Sequence, residues 1–362
     1  PISYYAAKYG VDIDLLTRGA GFGYIGSTIT SLIYASFTFI FFALEAAIMS
    51  FALELCFGLP LEIGYLLNAL IVIPLVTHGI TKISRFQLWT QPLWIVLHIL
   101  PFAFLLIAGG LQPERWMAFQ GRFQSVGGPD LLLFGAAASV ALSLMAQIGE
   151  QVDFLRFLPR DRRGSDRRSW WTALIFAGPG WIVLGALKML AGSYLAVMLL
   201  DNGVPPGIAI EPTHMYLESF SRVIASPEGA LALTGLFVIV SQLKINVTNA
   251  YAGSIAWSNF FARLTHSHPG RVVWLVFNVT IALLLMEFGV FHALEQTLGL
   301  YANVAVAWIG ALTADLVVNK PLGLSPRHIE FKRAHLYDIN PVGVGAMLIA
   351  STLSVAAYGG LF

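Results

Sequence analysis

Long apolar runs separated by short polar loops dominate the chain, and their lengths set the first expectation. The runs cover roughly residues 23 to 53, 61 to 78, 88 to 110, 130 to 151, 170 to 199, 229 to 257, 272 to 291, 293 to 318 and 341 to 362. An α-helix rises about 1.5 Å per residue, so about 20 apolar residues cross a hydrocarbon layer about 30 Å thick. The pattern therefore predicts about nine membrane-spanning helices, the longest of them tilted or broken. A membrane barrel would instead alternate apolar and polar positions over segments of about ten residues, and these runs are continuous. Because most loops are short, residues 1 to 362 read as a single transmembrane domain. The loop at 200 to 228, with its Pro205-Pro206-Gly207 turn, is expected to lie over the outer face.

Composition agrees: 57% of residues are apolar, only 11% are charged, and the mean hydropathy is +0.73. Soluble domains carry about 25% charged residues, so a water-soluble globule is excluded. The net charge of +1 decides little; the placement of charge decides orientation, because cytoplasmic loops keep Lys and Arg. With the start inside, the inside loops hold Lys82, Arg85, the run Arg156, Arg160, Arg162, Arg163, Arg167 and Arg168, then Arg263, Arg271, Lys320 and Arg327. The outside loops hold only Arg115, Arg122 and Arg222, and Lys188 and Lys244 fall within helices. A multi-pass protein of the cell inner membrane is expected, with the lipid bilayer as its first partner. The basic run contains Asp161 and Asp166 and joins two spans, so it reads as a topology anchor, with no nucleic acid as partner.

Enzyme chemistry finds no support. The single cysteine, Cys56, excludes an internal disulfide and any multi-cysteine metal site, and neither a nucleophile elbow nor metal-ligand spacing occurs. Gly21-Phe22-Gly23-Tyr24-Ile25-Gly26 fits the dinucleotide fingerprint by letter, but that motif belongs between a strand and a helix, and here a membrane span follows. Close packing through small residues is the expected use. Residues 1 to 20 lack the apolar core of a signal peptide, and the chain begins in mid-pattern, as a fragment of a longer protein would.

Ionisable groups inside a bilayer cost about 3 kcal/mol or more unless they meet a partner or a wet cavity, so they are the candidates for function. In the first span Phe41 and Glu45 share a face at i, i+4. In the fourth, Ser143, Gln147 and Glu150 form a stripe at i, i+4, i+7. The sixth places Ser241, Lys244 and Thr248 on one face, with Gln242, Asn246 and Asn249 beside it. An aromatic ring, carboxylates, an ammonium and amides in one interior cavity suit a flat polar heterocycle. The competing structural use is hydrogen bonding between helices, which amides and hydroxyls provide without any ligand; His98 is expected to be a packing residue.

Three stretches resemble the nucleobase-cation-symport-1 transporters of purines, pyrimidines, allantoin and hydantoins. Arg18 with Phe22-Gly23-Tyr24-Ile25-Gly26 looks like the family's Arg-x-x-Phe-Gly-x-x-Gly at the start of its third helix. Asp153-Phe154-Leu155-Arg156-Phe157 looks like the signature closing its sixth, and Asn246 to Ser254 resembles its Asn-rich eighth. The resemblance covers nearly the whole chain, as family helices 3 to 11. It implies an all-α membrane protein with a LeuT-like inverted-repeat transporter core, present in part, around a mid-membrane site. It implies substrate binding by Phe41, where the family has a stacking Trp, by Glu45, where it often has Gln, and by Ser143 and Asn246; Gln147 and Asn249 join them as candidates on helical spacing. No cofactor is implied beyond a coupling ion, Na+ or H+.

Two departures alter that picture. The family's first helix has no counterpart in these residues, so they are not expected to transport unaided. At the sodium position the family's small hydroxyl residues are replaced by Lys244 and Ile245, beside Ser241. A hard cation takes oxygen ligands, which isoleucine lacks. Lys244 therefore reads as a tethered cation in a sodium-independent protein, or else as the partner of a carboxylate. A second reading is a transporter-like sensory domain attached to a cytoplasmic histidine kinase.

Overall fold

The computed structural model describes residues 1–107, 112–121, 130–159, 166–289 and 291–361, without the side chains of 291, 292 and 294–296. Arg122, the loop 160–165 with its basic residues, and the expected span ends at 108–110, 290 and 362 lie outside the described residues. Two short helices, α1 (Ile2–Tyr9) and α2 (Ile13–Thr17), lead through a π turn at Arg18–Phe22 into α3 (Gly26–Phe57). Next come α4 (Leu61–Thr77), α5 (Ile80–Ile107), the short α6 (Pro113–Ala118), α7 (Leu131–Leu142), α8 (Ile148–Leu155), α9 (Asp166–Ala177) and α10 (Gly180–Asp201). The short α11 (Pro206–Ala209) and α12 (Pro212–Val223) precede α13 (Pro227–Leu264), α14 (Arg271–Glu287), α15 (Phe291–Ala314), α16 (Lys320–Leu322) and α17 (Pro341–Tyr358).

Among the described residues, 7 spans are long and apolar enough to cross a membrane, counting α7 with α8, α9 with α10 and α15 with α16. Helices α4 and α14 have 17 residues each, about 25 Å at the α-helical rise, and match the two remaining expected spans. Large apolar side chains such as Trp89, Ile99, Val273 and Ile349 are exposed on the outer faces. Water would not tolerate so continuous a coat, whereas lipid requires it.

Two spans are broken. Helix α9 gives way to α10 at Gly178-Pro179, where proline supplies no backbone N–H. In the fourth span Ser143–Gln147 forms a 3₁₀ turn between α7 and α8. That turn corrects the stripe expected there. At about three residues per turn, Ser143 and Gln147 point about 120° apart, whereas an α-helix would hold them within about 40°.

Helices α3 and α13 run antiparallel as the spine of the bundle. Arg263 donates to Ser31 Oγ at 2.7 Å near one end, Phe39 and Trp257 stack with ring centres 6.2 Å apart, and Cys56 Sγ meets the Leu231 carbonyl at 3.6 Å near the other. This register sets Glu45 level with the turns from Gln242 to Asn249. Polar knots hold the neighbouring helices. The wholly buried Asn278 of α14 accepts from Trp257 Nε1 at 2.9 Å and Thr38 Oγ1 at 3.1 Å. Asn68 of α4 donates to the carbonyls of Ala46 and Gly64 and to Ser50 Oγ.

At the cytoplasmic end by the charge rule, Asp14 pairs with Arg263 at 2.5 Å, both side chains nearly inaccessible. The Asp153-Phe154-x-Arg156 signature clamps α8 here: Tyr34 donates to Asp153 at 3.0 Å and Arg156 pairs with Asp12 at 3.3 Å. The glycine motif is a packing joint, as its sequence context suggested. Gly23, with φ of 84°, has backbone of the 337–340 segment where a Cβ would lie, and the amides of Tyr24 and Ile25 donate to the Tyr337 and Asp338 carbonyls at 2.9 and 2.6 Å. Nearby, outside the spans, the Glu330 carboxylate accepts from the Lys332 and Phe331 amides and from His335; these bonds hold its carboxyl at about 2, well below the usual range.

Asn278→Ala should lower stability by about 1 to 3 kcal/mol, since the Trp257 indole loses its acceptor in a dry interior. Thermal melting in detergent checks this, and an unchanged midpoint would discount the knot. For Glu330, whose folded pKa is depressed, the contribution is present above its ordinary pKa of 4.5 and lost as pH falls toward about 2. Hydrogen exchange should show the Phe331 and Lys332 amides protected at neutral pH, less protected near that lower limit, and unprotected at neutral pH in Glu330→Ala, which has no side-chain acceptor.

Candidate functional site

The middle third of α3 carries an aromatic and a carboxylate on one face. Phe41 is half-buried where two apolar clusters meet, with its ring centre 4.5 Å from that of Phe37. One turn on, Glu45 is half-buried, hydrogen-bonded to the Gln242 side chain of α13 and within the field of Lys188 from α10. Lys188 is exposed and also lies over Trp94, 5.3 Å from its ring centre.

From the broken span, Glu150 is buried, hydrogen-bonded to the Gln147 side chain and close enough to Glu45 and Asp153 to interact electrostatically. Ser143 is buried, but its hydroxyl donates to the Val140 carbonyl at 2.6 Å and so closes on its own helix. From α13, Asn246 is wholly buried with neither side-chain polar atom paired; Asn249 Nδ2, Ser241 Oγ, Gln242 Oε1 and Glu150 Oε1 are also buried and unpaired. Buried polar atoms nearly always find partners, so a run of orphans along about two turns of α13 marks a stretch shaped for something else. The cavities described elsewhere are separate from it. One of about 10 Å³, room for one water, is lined by Asp14, Ser31, Tyr34 and Trp308, and one of about 360 Å³ is lined by His78, Lys82, Phe86 and Val247.

Phe41, Glu45, Asn246 and Asn249 thus lie on α3 and α13 at one level, with Gln147 joined to Glu45 through Glu150. Lys244 does not share this face. Its ammonium donates to the Gln87 carbonyl at 3.0 Å and to Thr90 Oγ1 at 3.1 Å on α5, while Gln87 Nε2 donates back to the Lys244 carbonyl at 2.6 Å. The reason is angular: residues two apart on a helix point about 200° apart, so Lys244 turns away from both Gln242 and Asn246. Its partners are a carbonyl and a hydroxyl, not a carboxylate. Thr248 donates to the Ile245 carbonyl at 2.6 Å. Helical spacing had already grouped Glu150 with Gln147 and Gln242 with Asn246; Lys188 had no assigned role, and its only signal was a charge within an apolar run.

Apolar helices enclosing a mid-membrane polar face beside a broken span have the architecture of a secondary transporter. The chain shares its fold with Mhp1, a nucleobase-cation-symport-1 family transporter. A closed conformation of Mhp1 with bromovinylhydantoin bound matches 99% of this chain and 81% of its own, with a TM-score of 0.60 and 15% identity. The inward-facing conformation of Mhp1 matches 99% and 80%, with a TM-score of 0.63 and 15% identity. No protein-family model and no curated protein sequence matches the chain.

Lys244→Met should destabilise the protein by about 1.5 to 3 kcal/mol, the range for hydrogen bonds to a charged group, and Thr90→Val by less because the Gln87 carbonyl remains. Melting both variants in detergent tests the order; equal midpoints would break the assignment.

Proposed function

We infer that this chain binds a flat nitrogen heterocycle of the nucleobase or hydantoin class at mid-membrane and, within the whole protein, takes part in translocating it by rocking of one helix group against another. Residues 1–362 act as one domain of a multi-pass inner-membrane protein. The observation that carries the reading is Asn246: wholly buried, unpaired at both polar atoms, and level with Glu45. Phe41 supplies a face on which a ring can stack. Glu45, Gln147, Asn246 and Asn249 supply directional partners for its edge, and Ser143 lines the break in the fourth span. The hydantoin bound by Mhp1 supports the ligand class.

The coupling reading rests on Lys244 with Ser241. Two oxygens of α5 hold its ammonium, the kind of ligand a hard cation takes. On this reading the protein needs no sodium, and a proton is the remaining coupling ion.

Titration of purified protein with uracil, cytosine, hydantoin and allantoin should show binding to at least one, with equal affinity in sodium and choline buffers. Asn246→Ala should weaken it about tenfold or more, as expected when a buried hydrogen-bonding group is lost. Should Asn246→Ala and Glu45→Ala both bind like wild type, the site is misplaced. Affinity rising strongly with sodium would overturn the tethered cation. Uptake into proteoliposomes separates transport from sensing, since a sensor binds without uptake.

A further inference from the structure

Where cations are buried in the cytoplasmic joints, each meets a carboxylate: Arg156 pairs with Asp12, Arg263 with Asp14 and Lys320 with Asp315. The turn between α4 and α5 differs. Among the described residues, neither Lys82 nor Arg271, which reaches this turn from α14, has a carboxylate partner. The sequence leaves none within reach on the helices that meet here. Helix α5 carries no Asp or Glu, and those of α4, α13 and α14 are Glu62, Glu228 and Glu287, all at the opposite, outer ends. Arg271 Nη2 donates to the Val76 and Thr77 carbonyls at 3.3 and 3.5 Å and lies 3.7 Å from where a Cβ on Gly79 would sit. Its Nη1 is buried and unpaired.

Beside these cations opens the cavity of about 360 Å³ between α4, α5 and α13, room for about a dozen water-sized groups at about 30 Å³ each. Its mouth carries the exposed His78 and Lys82, and its walls are Pro74, Leu75, Ile83, Phe86 and Val247. His78 Nδ1 donates to the Pro74 carbonyl at 2.8 Å, which leaves Nε2 for an outside partner. A charge that only orients the chain needs a loop and no cavity. Apolar walls offer water none of the two to four polar partners it needs, and a free phosphate would use the mouth and leave the walls uncovered. An amphiphile uses both. About one turn deeper, Leu70 and Ile71 of α4 and Leu88 and Trp89 of α5 are exposed, so apolar surface runs on from the cavity into the bilayer. We propose that this cavity holds an anionic phospholipid of the cytoplasmic leaflet, its phosphate against Lys82 and His78 near Arg271 and an acyl chain running past Ile83 and Phe86 to Val247. The site is separate from the face around Asn246 and does not rest on the heterocycle reading.

Native mass spectrometry of the purified protein with equal amounts of dioleoyl phosphatidylglycerol and dioleoyl phosphatidylcholine tests it, since these lipids share tails and differ in net charge. The phosphatidylglycerol adduct should be about fivefold or more the stronger. Lys82→Gln combined with His78→Gln should cut that preference to about twofold or less. Lys332→Gln, which removes an exposed cation of the segment 320–340, should leave it unchanged. Phe86→Trp, which fills the slot, should weaken phosphatidylglycerol retention about fivefold, and millimolar inorganic phosphate should not displace the lipid. If Phe86→Trp does not fold, the exposed Lys82 and His78 pair still decides. Equal retention of the two lipids by the unaltered protein overturns the proposal. So does a preference that survives the paired change, or one that Lys332→Gln removes equally, which marks diffuse charge. Displacement by inorganic phosphate makes the mouth a plain anion site and overturns the lipid assignment.

Discussion

Hydrocarbon offers no hydrogen bonds, and that constraint orders everything in this bundle. A polar side chain inside a span must close on its own helix, tie two helices together, or face something other than lipid. Each of the three outcomes is present and separable. Ser143 and Thr248 close on their own helices. Asn278 and Asn68 tie helices together through one end of each amide, and the Asp14–Arg263 pair does so through a buried ion pair. Asn246, Gln242 and Glu150 are buried and keep atoms unpaired. Pairing, more than residue type, separates these groups: of two wholly buried asparagines, Asn278 bonds two other helices through its Oδ1, whereas Asn246 has neither polar atom paired.

Geometry supplies the rest. The long α3 and α13 are unbroken and knotted to α4 and α14, so they form the rigid side of the site. The fourth span is interrupted at the same depth, and its lower half is clamped through Asp153 and Arg156 rather than through continuous helix. On the function proposed above, an unbroken wall opposite an interrupted one is the arrangement by which a mid-membrane site is reached from two sides. The glycine motif serves the rigid wall, since Gly23 and Gly26 let the 337–344 segment lie directly on the start of α3.

The spans were legible because hydrophobic run length is a one-dimensional property; all nine expected crossings have a helix in the structure. Phe41 with Glu45, and Asn246 with Asn249, were legible because helical spacing reports which residues share a face. Partners were not legible, since spacing says nothing about what stands opposite. Lys244 shows the limit: its charge made it conspicuous, but two residues of rotation carry it to Gln87 and Thr90. Ser143 shows another, because a hydroxyl in a helix has the preceding turn's carbonyl within reach whatever lies outside. The 3₁₀ turn leaves no mark in a run of small and apolar residues, so the rotation it imposes on Gln147 and Glu150 needed coordinates.

The contact between Lys244 and α5 has a thermodynamic consequence if the ammonium stands in for an ion. A bound sodium contributes its binding free energy and then leaves, and the difference in its concentration across the membrane is what drives a solute uphill. A covalently attached ammonium cannot leave. It can stabilise the same helix pair, but it carries no gradient energy unless a proton moves on and off it. On that reading the α13–α5 contact fixes a conformation rather than coupling one, and net movement of solute follows its own gradient. On that reading the proposed ligand is held by the face around Asn246, Asn249 and Glu150, whose atoms remain unpaired when Lys244 has found its oxygens on α5.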